Sequence, residues 1–104
     1  MKVVFEVKAA FEKKIRLTEE RLNYILFKHP EISNKTDKIR CTLIRPDLIR
    51  KSQYNPDVWL YYKFYKRLKK YLTVAVKLFN REGFVITSYI TDRIKVGEEI
   101  WKEK

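Results

Sequence analysis

Apolar residues fall at helical spacing in two short stretches of this chain and alternate with other residues through most of its second half. Leu22, Ile25, Leu26 and His29 recur at i, i+3, i+4 and i+7, one stripe of an amphipathic helix. Thr18 stands ahead of them as an N-cap, and Glu19 and Glu20 complement the helix dipole in the first turn. Pro30 disfavours α geometry at His29, so the helix should end there. A second helix is expected from about Lys35 to Arg45, capped by Asn34 or Thr36, with Ile39 and Leu43 on one face and Pro46 as the stop.

Beyond Pro46 the period changes from helical to alternating. Residues 48–52 suit a short strand, and Tyr54-Asn55-Pro56-Asp57 is a turn cluster. Residues 58–66, 71–79 and 84–91 all alternate. Asn80-Arg81-Glu82-Gly83 makes a hairpin loop, with Gly83 available for a left-handed residue. Residues 1–8 are β-branched and aromatic enough for an extra N-terminal strand at a sheet edge. The expected class is therefore α+β: two N-terminal helices packed on one face of a three- to four-stranded antiparallel β-meander.

Alternation sorts the strand residues into two faces. Val58, Leu60, Tyr62, Phe64, Leu72, Val74, Val76, Leu78, Phe84, Ile86, Ser88 and Ile90 form an apolar set expected against the helices. The complementary set is Trp59, Tyr61, Lys63, Tyr65, Tyr71, Thr73, Ala75, Lys77, Phe79, Val85, Thr87, Tyr89 and Thr91. Its mixture of rings, cations and hydroxyls suits single-stranded nucleic acid, with rings stacking on bases and cations neutralising phosphates. An ordinary solvated face has a similar make-up, because Thr and Tyr are good strand residues and Lys discourages edge pairing.

Composition narrows the partners. A single domain is expected of 104 residues, and a formal net charge of +11 favours a polyanion, of which RNA is a common cytoplasmic example. A thermophile-like surface explains abundant charge of both signs better than it explains so large an excess of one. No uncharged run approaches the 18 or more residues of a membrane span, and Glu6 interrupts the N-terminus before any signal-peptide core. Cys41 is alone, so neither an intrachain disulfide nor a Cys-based zinc cluster is expected. A soluble cytoplasmic protein without a membrane partner fits these limits.

Little classical catalytic equipment is present. His29 is the sole histidine, so histidine acid–base chemistry falls to it; alternatively, its ring packs behind Leu22 and Leu26 as part of the core. Metal binding has no ligand signature, and no cofactor is expected. Gly83 and Gly97, the only glycines, cannot build a phosphate loop or a dinucleotide fingerprint. Arg45, Arg50 and Lys51 bracket Pro46-Asp47 and the next strand and can hold a phosphate or developing anionic oxygens, although for any one of them a solvated surface side chain is the commoner account. Thr87, Tyr89 and Thr91 offer hydroxyls for a phosphate or ribose.

Several segments together carry a family resemblance: Arg16-Leu17-Thr18-Glu19-Glu20-Arg21, Lys28-His29-Pro30-Glu31 and Arg45-Pro46-Asp47-Leu48-Ile49-Arg50-Lys51-Ser52, then Tyr71 to Lys77, Gly83 to Lys95, Gly97-Glu98 and Trp101. Over about residues 15–101 the chain resembles the phage-associated nuclease family of the BECR (barnase, EndoU, colicin and RelE-like) superfamily. The resemblance implies helices on an antiparallel meander and a metal-independent endoribonuclease in which a ribose 2′-hydroxyl attacks the adjacent phosphorus. It maps a catalytic set onto His29, Arg50, Ser52, Lys77 and Thr87, with Thr91 beside it.

Three functions follow as expectations. The first is a small basic ribonuclease, a toxin or host-directed effector with an antitoxin or inhibitor protein as partner. Nucleic acid would be held by Arg45, Lys51, Trp59, Tyr61, Lys63, Tyr89 and Thr91. The second is a non-catalytic nucleic-acid-binding module on the same face, and the third a domain that docks an acidic protein. Trp101 should pack back on the core.

Overall fold

The computed structural model describes residues 2–103. Seven strands make one sheet: β1 (Val3–Ala9), β2 (Lys13–Thr18), β3 (Leu48–Ser52), β4 (Val58–Tyr65), β5 (Lys70–Phe79), β6 (Glu82–Thr91) and β7 (Gly97–Lys102). Their spatial order is β1-β2-β6-β5-β4-β3-β7, and every neighbouring pair is antiparallel except β2 with β6. Helices α1 (Glu19–Lys28) and α2 (Thr36–Ile44) lie between β2 and β3 in the chain. The expectation of a three- to four-stranded meander behind two N-terminal helices is thus overturned. The sheet is mixed, and two strands precede the first helix.

The strands missing from the sequence reading have identifiable causes. The turn from β1 to β2 is a 3₁₀ segment, Ala10–Glu12, in which Phe11 and Glu12 take φ of 66° and 56°. Neither residue signals a turn, because left-handed backbone is uncommon outside Gly, Asn and Asp. β7 escapes the period-2 test because its pairing with β3 is irregular: Trp101 faces Ile49 while Glu99 faces Arg50. The irregularity sets two acidic residues and then two apolar ones side by side in sequence. Trp101 packs against the main core as expected.

Local signals specify both ends of α1. Thr18 Oγ1 accepts the Arg21 backbone N–H at 3.2 Å, and the His29 N–H donates to the Ile25 carbonyl ahead of Pro30. At α2 the N-cap position is Lys35 without a side-chain cap, so neither Asn34 nor Thr36 serves; Asn34 instead takes φ 63°. In the β5–β6 turn the left-handed residue is Asn80, at φ 58°, and not Gly83.

α1 packs against β2 and β6, and α2 against β1, β4 and β5, all on one side of the sheet. Ile25, Ile39 and Leu43 from the helices meet Ile15, Leu17, Ile49, Tyr61, Val74 and Val76 there, each essentially buried. Leu48, Leu60, Tyr62 and Ala75 form a second cluster on the opposite face, joined by Val58, Ile86 and Ile94.

β4 is therefore turned over relative to the expected faces. Tyr61 pairs with Val74 beneath the helices, while Leu60 pairs with Ala75 on the second face. Both sides of β4 carry large apolar or aromatic groups, so alternation defines two sets without saying which set meets which neighbour. A bulge also reverses part of β6: Ala75 faces Thr87 but Val76 faces Val85. Ile86 is the extra residue, and Val85 and Phe84 exchange their expected sides.

Residues 92–96 form a strap over the second face. β6 and β7 lie four strand spacings apart, about 19 Å. Five intervening residues make the crossing after a bend at Asp92 and Arg93, where the Thr91 hydroxyl accepts the Arg93 N–H. The strap is fastened where the Lys95 N–H donates to the Tyr62 hydroxyl at 3.1 Å and where Ile94 joins the second cluster.

Candidate nucleic-acid interface

Beside the strap the second face opens into a cleft of about 460 Å³. Val58, Leu60, Ala75 and Ile86 floor it, while Thr87 and Tyr89 of β6, Lys95 of the strap, and Ser52 and Tyr54 after β3 wall it. An apolar floor with a few polar groups at the rim is the usual make-up of a small-ligand site, and the volume suits one nucleotide.

Tyr89 is the joint of this site. Its ring lies 5.6 Å from that of His29, centre to centre, and 5.4 Å from the Lys95 ammonium nitrogen. The contact arises because β2 stops pairing with β6 after Arg16 and Phe84. α1 and the turn after it then pack along the edge that β2 leaves. His29, at the end of α1, reaches the rim of the second face. It is about one-third exposed (34%), whereas Leu22 and Leu26 pack against the core, so the ring is not hidden behind them.

Glu31 Oε2 lies 3.5 Å from His29 Nδ1. A carboxylate there favours the tautomer protonated at Nδ1 and leaves Nε2 free to accept a proton. The Tyr89 hydroxyl is pushed above the ordinary value of 10.0 by burial, partly offset by the nearby Thr73 and Tyr62 hydroxyls. Neither the Tyr89 hydroxyl nor Thr73 Oγ1 meets a partner in hydrogen-bond geometry among the described residues.

Arg50 supplies positive charge from beneath the strap. Its Nη1 donates to the Lys95 carbonyl at 3.5 Å, while its buried Nε has no partner among the described residues. Lys77 lies on the same face, between Val58 of the cleft floor and Phe84. Ser52 Oγ accepts the Tyr54 N–H at 3.2 Å, which leaves its hydroxyl proton free to donate. His29, Arg50, Ser52, Lys77 and Thr87 thus share one face or its rim.

The expected nucleic-acid contacts divide between the two sides. Tyr89 belongs to the cleft. Thr91 follows on the same face, but its hydroxyl accepts the Arg93 N–H at 3.1 Å and donates to the Arg93 carbonyl. The other five sit on the helix-covered side or its margin. Tyr61 is fully buried, its hydroxyl donating to the Ala10 carbonyl at 3.0 Å. Trp59 meets Phe11 edge-on, with Lys13 over its ring. Lys51 pairs with Glu98, and Lys63 donates to the Arg45 carbonyl beside Asp47. The expected single aromatic and cationic face was two half-surfaces, a direct result of the inversion of β4.

Lys95, Tyr54 and Tyr62 were absent from the sequence-based site. Lys95 becomes recognisable only once β7 is placed beside β3, because that placement draws the strap across the cleft.

The chain matches no protein-family model, and comparison with curated proteins and with solved structures finds no match. Among the described residues, no helix is long and apolar enough to cross a membrane. No three His, Cys, Asp or Glu side chains among them gather as metal ligands.

Proposed function

We propose that the protein binds single-stranded RNA over the second sheet face and cleaves it there by 2′-hydroxyl attack on the adjacent phosphorus, without a metal. The observation that carries this reading is the placement of the only histidine against Tyr89, at the rim of a cleft that also holds Lys95 and lies beside Arg50. His29 Nε2 takes the 2′-hydroxyl proton as the O2′–P bond forms. The P–O5′ bond breaks, and the 5′-oxygen takes a proton from solvent.

Arg50 and Lys95 stabilise the charge that develops on the phosphorane oxygens. Tyr89 offers a stacking surface, and Ser52 and Thr87 offer hydroxyls to the ribose or phosphate. The net charge of +11 and the resemblance to the BECR nucleases support the same reading, which assigns the protein to the cytoplasm.

Incubation with mixed RNA in EDTA tests the proposal. Wild type should leave 2′,3′-cyclic phosphate ends, and folded His29→Ala should lose about 10²–10⁴ in rate. Equal cleavage by both proteins removes His29 from the mechanism. The runner-up is a non-cleaving RNA-binding module. Its support is the second face itself, where the Tyr89 ring, Lys95 and Arg50 offer stacking and positive charge that need no catalytic base. RNA binding with no cleavage across varied sequences would select it.

A further inference from the structure

A second cleft of about 610 Å³ lies where α1 leaves the sheet. Past Arg16 and Phe84, β2 ceases to pair with β6 and the chain turns at Thr18 into the helix. The gap left between α1 and β6 is lined by Arg16, Glu20, Arg21, Tyr24 and Phe84. Resting on the RNA reading above, we infer that this cleft is a second nucleotide subsite, which holds the residue next to the one stacked on Tyr89.

Position is the first argument. Arg21 Nη1 donates to the Ile86 carbonyl at 3.4 Å, and Ile86 is also part of the floor of the first cleft. The two clefts therefore meet across one residue of β6. Phe84 and Thr87, which line one cleft each, are three residues apart along the strand, about 10 Å. Consecutive nucleotides of a flexible single strand bridge such a step.

Chemistry is the second argument. Tyr24 is half-exposed and carries the Arg21 guanidinium at 5.2 Å and the Lys28 ammonium at 5.9 Å from its ring centre. Phe84 is already stacked with Phe79 at 5.8 Å, which fixes its ring. Arg16 and Arg21 make no ion pair among the described residues. Aromatic rings beside guanidinium groups that no carboxylate neutralises match a base and its phosphate.

Glu20 gives the subsite a preference. Its carboxylate can accept from the exocyclic amino group of adenine, cytosine or guanine and has no such donor on uracil. Reaching both aromatic positions requires unstacked bases, so the ligand is a single strand and not a duplex.

The test uses labelled 2′-O-methyl octaribonucleotides, which bind but cannot be cleaved, against wild type, Tyr24→Leu, Tyr24→Phe and Tyr89→Leu. Tyr24→Leu should weaken oligo-A binding about tenfold, and Tyr24→Phe should restore it. Wild type should prefer oligo-A to oligo-U and both to a duplex of the same length. Arg16→Gln, at an exposed position, should lower the slope of log affinity against log salt by about 0.7. If Tyr89→Leu weakens binding while Tyr24→Leu and Arg16→Gln match wild type, the second subsite is overturned and the first cleft stands. Equal affinity for duplex and single strand overturns the inference. Absence of any RNA binding by wild type overturns this inference and the RNA reading together.

Discussion

His29 and Tyr89 stand ring against ring, 5.6 Å between centres and inclined by 36°, although one ends a helix and the other sits within a strand. Their contact joins the helix layer to the opposite face of the sheet around the edge of β6 that β2 leaves unpaired.

Tyr89 separates ring from hydroxyl. Its buried hydroxyl has no partner in bonding geometry, so Tyr89→Phe should leave the urea midpoint unchanged or raise it. Tyr89→Ala removes the contacts with His29 and Lys95 and should cost about 2–3 kcal/mol, below the range for a fully buried ring. Denaturation of the three proteins under identical conditions checks both outcomes, and a marked loss in Tyr89→Phe would contradict the first.

The two sides of the sheet should respond differently to loss of charge. Lys77 lies on the cleft face, whereas Lys51 pairs with Glu98 on the helix side. Lys77→Gln should lower the salt slope of RNA binding by about 0.7, the loss of one phosphate contact on a single strand. Lys51→Gln should leave the slope unaltered. Fluorescence titrations between 50 and 200 mM salt, about the range over which such contacts are read, compare them.

Alkali should unfold the protein through its tyrosines. Tyr61, Tyr62, Tyr65 and Tyr89 all have hydroxyls raised above 10.0, with burial as the main cause. Above that value the folded chain retains more phenolic protons than the unfolded chain, so stability falls as pH rises. Their contribution is complete below 10.0 and is lost as pH climbs towards the folded-state values. Urea midpoints measured from pH 8 to 11, about the unfolded phenol range, should decline only at the upper end. Phenolate absorbance from these four rings should appear together with unfolding.

Gly83 should not tolerate even a methyl group. A Cβ there would sit 2.5 Å from the Lys77 carbonyl oxygen, 2.9 Å from Leu78 Cδ2 and 3.0 Å from Ile15 Cδ1. Gly83→Ala should cost about 1–3 kcal/mol, read as a lower denaturation midpoint. The reason is close approach between strands and not backbone conformation, since the left-handed turn residue is Asn80.

Much of the candidate site was legible because local chemistry marks it. Thr18 and Pro30 bound α1 and so place His29 at its end, and alternation put Lys77, Thr87, Tyr89 and Thr91 on one face of β5 and β6. Trp59, Tyr61 and Lys63 went to the wrong side because β4 is nearly as apolar on one face as on the other. Arg16, Tyr24 and Phe84 were not singled out together, because the cleft they share exists only where β2 stops pairing with β6.

The sequence by itself determined the limits of α1, the existence of α2 and its stop before Pro46, the approximate extents of β3 to β6 and the strongly basic charge, since capping, proline, alternation and charge act over a few residues. Tertiary structure alone decided the parallel seat of β2 beside β6, the side that β4 turns to the helices, the bulge at Ile86 and the docking of β7 on β3. Each of those depends on which surfaces meet across long stretches of chain. Backbone pairing there is indifferent to side-chain type, and burial on both faces of the sheet settles the register.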